Sequence, residues 1–153
     1  MADDCVFLMG KFEARLPGDL LYARTHMWAR PLEGGRLRFG FSAYAVRLLQ
    51  DVYFLEWRIE PGTDVALMEE IGFIESSKAE SSLYAPVAGR VEAFNAELLA
   101  DPSGVNADGY GAGWLFDMTA SPADLMDVAG YEAFLTTAWE KTQRVIKGKI
   151  NEG

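Results

Sequence analysis

The sequence is short of the groups on which most enzymes depend. Its 153 residues hold one cysteine and one histidine, so a Cys–His pair could come only from Cys5 and His26. No HExxH, CxxC, GxGxxG or phosphate-loop signature occurs. A lone cysteine excludes an internal disulfide, suits the reducing cytoplasm and leaves Cys5 as an incidental thiol. Positive charge is scarce as well: 14 Lys and Arg stand against 23 Asp and Glu, for a net charge of −9. That balance repels nucleic acid and anionic lipid surfaces. No apolar run reaches the roughly 18 residues of a membrane span, because Glu69 and Glu70 interrupt residues 65–74. Acids precede the short apolar stretch at residues 5–9, and no basic region comes before it, so no secretory signal is read there.

What is present is the material of a core. The chain is 50% hydrophobic and carries nine Phe, six Tyr and four Trp, enough for one globular domain and too short for two full ones. Residues 21–23 continuing through 26–30, then 36–41, read as two strands punctuated by the Glu33-Gly34-Gly35 turn. Ser42 is placed to cap a short helix over Ala43–Leu49, with Ala45, Leu48 and Leu49 facing inward. Residues 51–59 are rich in β-branched and aromatic types, and Pro61-Gly62 ends them with a turn dipeptide.

Residues 66–75 and 79–84 form a predicted hairpin whose tip is Ser77-Lys78, followed by a strand at 90–94. A short helix at 95–100, an ordered loop at 101–113 and a closing strand at 114–118 complete the β region. Asp101 and Asp108 lack the alternating ligand spacing of a calcium loop. Ser121-Pro122-Ala123-Asp124 has the composition of a helix start. Tyr131, Phe134, Leu135, Ala138, Thr142 and Val145 recur at helical spacing and predict an amphipathic helix lying outside the β core. Many short strands with frequent turns predict a mainly β barrel or sandwich with helices at its periphery.

The candidate for chemistry is a lysine between small residues, in Glu75-Ser76-Ser77-Lys78-Ala79-Glu80. A hairpin tip is approachable from most directions, as a modifying enzyme and several partners would require. An exposed lysine and its flanking acids equally serve to solvate a turn. The 23 acids also leave open an enzyme built on paired carboxylates, since sequence does not say which of them meet.

Glu75-Ser76-Ser77-Lys78-Ala79, followed by Tyr84-Ala85-Pro86-Val87-Ala88-Gly89, resembles the lipoylation segment of glycine cleavage H proteins. The resemblance extends in order to His26-Met27-Trp28, Gly40-Phe41-Ser42 with Ala45, Phe54-Leu55-Glu56 and Asn106-Ala107-Asp108-Gly109-Tyr110-Gly111-Ala112-Gly113-Trp114, covering about residues 20–135. Biotin carriers place Met on both sides of the lysine, which Ser77 and Ala79 do not. The resemblance implies a flattened β barrel of the barrel-sandwich hybrid, lipoyl-domain type, with short peripheral helices and a C-terminal helix. The implied divisions are an N-terminal extension at 1–19, a lipoyl-carrier β domain at 20–120, and a helical segment at 121–153 packed on it.

The resemblance also implies a non-catalytic, monomeric carrier. Lipoate is expected as an amide on Lys78, with Glu75, Ser76, Ser77 and Ala79 as the recognised motif and His26 near the arm. The implied partners are glycine decarboxylase, aminomethyltransferase, dihydrolipoamide dehydrogenase and a lipoate ligase or lipoyl transferase. Three polar positions of the family's arm pocket are replaced: Met27 stands for a glutamate, Ser82 for an aspartate and Leu48 for a histidine. Glu56, Glu80 or another acid would have to supply the missing charge. The alternative is an H-like carrier serving another pathway, such as sulfur oxidation or lipoyl relay and modification.

Overall fold

The computed structural model describes residues 3–152, with side chains to residue 143. The chain forms, in order, β1 (Cys5–Met9), β2 (Phe12–Leu16), β3 (Leu21–Tyr22), β4 (Met27–Pro31), β5 (Arg36–Phe41), α1 (Ala43–Leu49) and β6 (Val52–Trp57). It continues through β7 (Asp64–Val65), β8 (Glu70–Ser76), β9 (Glu80–Tyr84), β10 (Gly89–Phe94), α2 (Ala96–Ala100), α3 (Gly104–Ala107), β11 (Phe116–Thr119) and α4 (Val128–Glu152). A six-stranded sheet in the order β3-β4-β5-β11-β10-β7 packs against a three-stranded sheet, β6-β8-β9, and β1 and β2 form a separate hairpin. The architecture is the mainly β, barrel-sandwich type expected, with a helix at the C-terminal end.

Alternation along the strands builds the first core between the two sheets. Met27, Phe39, Ile71, Ile74, Leu83, Val91, Phe116 and Met118 meet there with almost no exposure. Gly72 is required by this packing, because a Cβ there would come within 2.6 Å of the Glu56 carbonyl oxygen and 2.8 Å of the Trp57 ring. The close approach lets the Trp57 ring stack on Phe94 at 4.6 Å. A second core, richer in aromatics, lies on the outside of the six-stranded sheet. It gathers Leu16 of the N-terminal hairpin, Tyr22 of β3, Trp28 of β4, Tyr44 of α1, and Tyr131 and Leu135 of α4. Trp28 reaches it over Gly40, where a Cβ would stand 2.5 Å from the indole.

Several details differ from the sequence reading. The first predicted strand is a hairpin of β3 and β4, and the chain turns at His26, which adopts φ +65°. Leu48 faces solvent at 39% exposure while Ala45 and Leu49 are buried, so the inner stripe of α1 omits it. The loop at 101–113 contains α3, and β11 begins two residues later than expected. The helix predicted from Ser121 begins at Val128 instead. Its cap signal makes only a local turn, in which Leu125 N–H bonds to the Pro122 carbonyl at 3.0 Å. Met126 then bonds in both directions to the Tyr22 backbone at 2.8 Å, and these extended bonds hold that stretch out of a helix.

The C-terminal helix packs as its periodicity requires, with Tyr131 and Leu135 buried and Phe134, Ala138 and Thr142 half-buried. Val145 lies outside the residues whose side chains are described. Residues 5–16, where no element was expected, form the tight hairpin of β1 and β2 around Gly10-Lys11. Gly10 takes φ +64° at the turn, a value that suits glycine. Tyr110 ties the hairpin to the body: its hydroxyl donates to the Arg15 carbonyl at 2.6 Å and accepts from the Ala43 N–H at 2.8 Å.

Candidate functional site

Lys78 stands at the exposed bend between β8 and β9, where Glu75 pairs with Glu80 across the ladder. Two serines fix the bend. Ser76 is buried, and its Oγ accepts from Ala79 N–H at 3.1 Å and donates to the Ala79 carbonyl, also at 3.1 Å. Ser77 ties the bend to the start of β6: its N–H donates to the Asp51 carbonyl at 2.9 Å, and its Oγ accepts the Asp51 N–H at 3.1 Å. Ala79 packs against the first core. The three small residues expected around the lysine, Ser76, Ser77 and Ala79, are therefore brought together and each is used, whereas Lys78 itself is exposed.

Asp51 lies in a strained corner. Gln50 ends α1 with φ 60° and ψ −138°, a conformation nearly reserved for glycine. Asn106 of α3 stabilises it: its Nδ2 donates to the Gln50 carbonyl, and its Oδ1 accepts the Val52 N–H at 2.9 Å. Beside this corner opens a cleft of about 330 Å³, lined by Phe12, Phe41, Val46, Arg47, Asp51, Val105 and Tyr110 among others. The Arg47 guanidinium lies 4.4 Å from the centre of the Phe12 ring. The cleft is thus apolar along its walls and charged at one end, one hydrogen-bonded step from the lysine turn.

His26 is held elsewhere. Its ring sits among Tyr44, Tyr131 and Phe134, and its Nδ1 shares a hydrogen bond of 2.9 Å with the Tyr131 hydroxyl. That hydroxyl also meets Ser42 Oγ at 2.8 Å. Burial pushes the His26 pKa down to about 4, so the ring is neutral at physiological pH. None of these contacts reaches the Lys78 turn. Cys5 is also remote: burial first, then the Glu132 carboxylate that its thiol faces, pushes it up to about 11 and keeps it protonated.

The three replaced positions are scattered. Met27 is buried in the first core, Leu48 is exposed on α1, and Ser82 is half-buried opposite Phe73. Of the acids considered as substitutes, Glu56 also lies opposite Phe73, while Glu80 lies opposite Glu75. The acid that lines the cleft is Asp51, which sequence reasoning did not single out. Asn106 enters the sequence reading only as the first residue of a motif of the resemblance, and its role at this corner rests on contacts about fifty residues apart in the chain.

A β sandwich that presents an exposed lysine on a pinned turn, and that has the N- and C-terminal segments on its outer face, defines a carrier domain of the swinging-arm class. Residues 20–138 match the family model for the glycine cleavage H-protein. The chain is 42% identical over 123 residues to the glycine cleavage system H protein of Pseudoalteromonas atlantica, an alignment covering 78% of this chain and 95% of that protein. It is 43% identical over 122 residues to the H protein of Mycobacterium bovis, covering 80% of this chain and 88% of that one. The crystal structure of an H protein from Mycobacterium marinum superposes with a TM-score of 0.68 at 32% identity, over 77% of this chain and 97% of that one. The chain belongs to the glycine cleavage H-protein family. None of these relatives favours the other-pathway reading. Residues 1–19 and 139–153 lie outside the family match.

Proposed function

We propose that Lys78 carries lipoate as an amide on its Nζ, and that the cleft beside it seats the loaded arm. As a member of its family the chain is a non-catalytic carrier component of the glycine cleavage system, and that family carries lipoate. The observation that supports the particular residue is the turn: an exposed primary amine, on a backbone fixed by Ser76 and Ser77, matches what an acylating enzyme needs to reach. Lipoate would supply a dithiolane able to take up an aminomethyl group, release its carbon to a folate and return to the disulfide.

The protein's own part is placement. Phe12, Phe41, Val46 and Val105 offer the arm apolar walls, and Asp51 lines the same space. A carboxylate there holds a protonated amine by charge-assisted hydrogen bonds worth about 1.5–3 kcal/mol. Asp51 therefore takes the role left vacant by Met27 and Ser82.

The partners that fit this reading are glycine decarboxylase, aminomethyltransferase, dihydrolipoamide dehydrogenase and a lipoate ligase or lipoyl transferase. Its setting is the cytoplasm, where a free Cys5 thiol is at home. Among the described residues no helix is long and apolar enough to cross a membrane.

Intact mass after incubation with a lipoylating enzyme tests the site: the wild type gains one lipoyl increment and Lys78→Ala gains none. An increment that survives in Lys78→Ala moves the arm to another residue. Reconstitution with glycine decarboxylase tests the seat, where Asp51→Asn is expected to weaken glycine-dependent loading while leaving lipoylation intact.

A further inference from the structure

The cleft beside the lysine turn carries two charges that the fold leaves without partners. Of the residues that line it, Arg47, Asp51 and Tyr110 ionise. Tyr110 is committed: burial pushes its pKa up to about 12, and its hydroxyl already bonds the Arg15 carbonyl and the Ala43 N–H. Asp51 bonds Ser77 through its backbone groups, and its carboxylate has no hydrogen-bond or ion-pair partner among the described residues. The Arg47 guanidinium has none among them either, and no salt bridge joins it to Asp51.

What Arg47 has is an aromatic platform. Its guanidinium lies over the Phe12 ring, 4.4 Å from the centre, a contact that uses the cation's charge but leaves its N–H donors open to an anion. Phe12 opens β2 and lies outside the family match. The base of its hairpin is fastened by Asp4, whose carboxylate accepts from the Arg15 side chain at 2.7 Å and from the Gly18 N–H at 2.9 Å. The hairpin thus adds to the family fold a ring that places a cation at the cleft.

Loading gives the arm two charges of its own. Decarboxylation of glycine releases carbon dioxide and leaves the electron pair of the broken C–C bond on the methylene carbon. That pair forms a bond to one sulfur of the dithiolane, the S–S bond breaks, and its electrons stay on the second sulfur as a thiolate. The amino group, protonated, is the positive end. We propose that Arg47, held over Phe12, is the site for this sulfur anion, while Asp51 holds the ammonium in the same cleft. This role presupposes lipoate on Lys78 and the arm seated in the cleft.

An ordinary thiol is mostly protonated near neutral pH, and a neighbouring guanidinium moves it towards the thiolate. Asp51 alone would suit the ammonium and oppose the sulfur anion. Arg47 removes that conflict. Once the carbon has been passed on, the same guanidinium keeps the reduced arm in the form that exchanges with disulfides.

The full chain, lipoylated to completion by intact mass and reduced with a phosphine, is alkylated with iodoacetamide across a pH series. The product is read on the peptide bearing Lys78, apart from Cys5. At low ionic strength the wild-type arm is expected to reach its half-maximal rate about one pH unit below free dihydrolipoamide. Arg47→Gln should abolish most of that shift, and Arg47→Lys, which keeps the charge, should retain part of it. Phe12→Leu should also lose part, because no ring holds the guanidinium. Asp51→Asn should move the midpoint further down, opposite in sign to Arg47→Gln, a pattern that loss of folding would not produce. The Val46 and Val105 amide resonances, compared before and after lipoylation, report separately on whether the arm occupies the cleft. If both move but the alkylation profile is indifferent to Arg47→Gln, the seat stands and Arg47 is overturned as its anion site. If neither moves, the seat is overturned and this role for Arg47 falls with it. A lipoyl increment absent from Lys78 overturns the attachment itself.

Discussion

The two cores do different work. Between the sheets, Ile71, Ile74 and Leu83 are apolar side chains on the very strands that end in the lysine turn. Outside the six-stranded sheet, the second core holds a buried polar chain, His26 to Tyr131 to Ser42, with shared hydrogen bonds of 2.9 and 2.8 Å. The first core builds the platform for chemistry by hydrophobic burial alone. The second fastens the terminal segments to that platform through hydrogen bonds that must all be satisfied. Function and fastening are thus separated in space, and substitutions should separate them too.

The largest expected effect is confined to the turn. Lys78→Arg keeps the charge but cannot form the amide, so the lipoyl mass increment should vanish entirely. Thermal unfolding should move by no more than about 0.5 kcal/mol, as for other exposed substitutions. A marked loss of stability would mean that Lys78 serves the fold, and the separation would fail.

The converse is expected of Leu135, fully buried where α4 meets the second core. Leu135→Ala should cost about 2–5 kcal/mol of stability by denaturant unfolding. Lipoylation at a temperature where the variant is folded should match the wild type. Slower modification of the folded variant would show that the helix is coupled to the turn.

His26 gives the second core a pH dependence. Its folded pKa, about 4, lies below the ordinary histidine value because burial disfavours the charged ring. The unfolded chain therefore takes up the proton first. The contribution of neutral His26 is complete above about pH 6.5 and is lost as pH falls towards 4, a span worth about 3 kcal/mol. It is the one histidine in the sequence, so His26→Asn, which tolerates the positive φ, should flatten the stability profile over that window. An unchanged profile would assign the dependence to carboxylates instead.

The features legible in the sequence were those with local causes. Ser42 caps α1 through the Ala45 N–H, as its position suggested. Ser77-Lys78 falls at a hairpin tip because apolar strands flank small residues on both sides. Features decided by distant partners were not legible. The cap signal at Ser121 loses to the bonds between Met126 and Tyr22. The β1–β2 hairpin had a glycine turn at Gly10-Lys11 to announce it, but its strands acquire an inner face only when α1 and α4 are present. Asp51 and Asn106 look like ordinary loop polar residues until α3 is folded against β6.

The smallest expected effect lies where that distant packing meets the turn. Ser77→Ala removes the hydroxyl that accepts the Asp51 N–H but leaves the backbone bond from Ser77 to the Asp51 carbonyl. Asp51 N–H is exposed enough to find water, so the loss should be about 1 kcal/mol or less. The turn should nevertheless become less fixed, and a site held loosely is acylated more slowly even when its partner docks as before. The lipoylating enzyme should therefore show a lower kcat with an unchanged KM for Ser77→Ala. Asn106→Ala should act in the same direction by freeing the Gln50–Val52 corner, and the two effects should combine less than additively, since both pass through Asp51. Additive effects would show that the turn and the corner act independently, and that the cleft and the lysine are neighbours without being coupled.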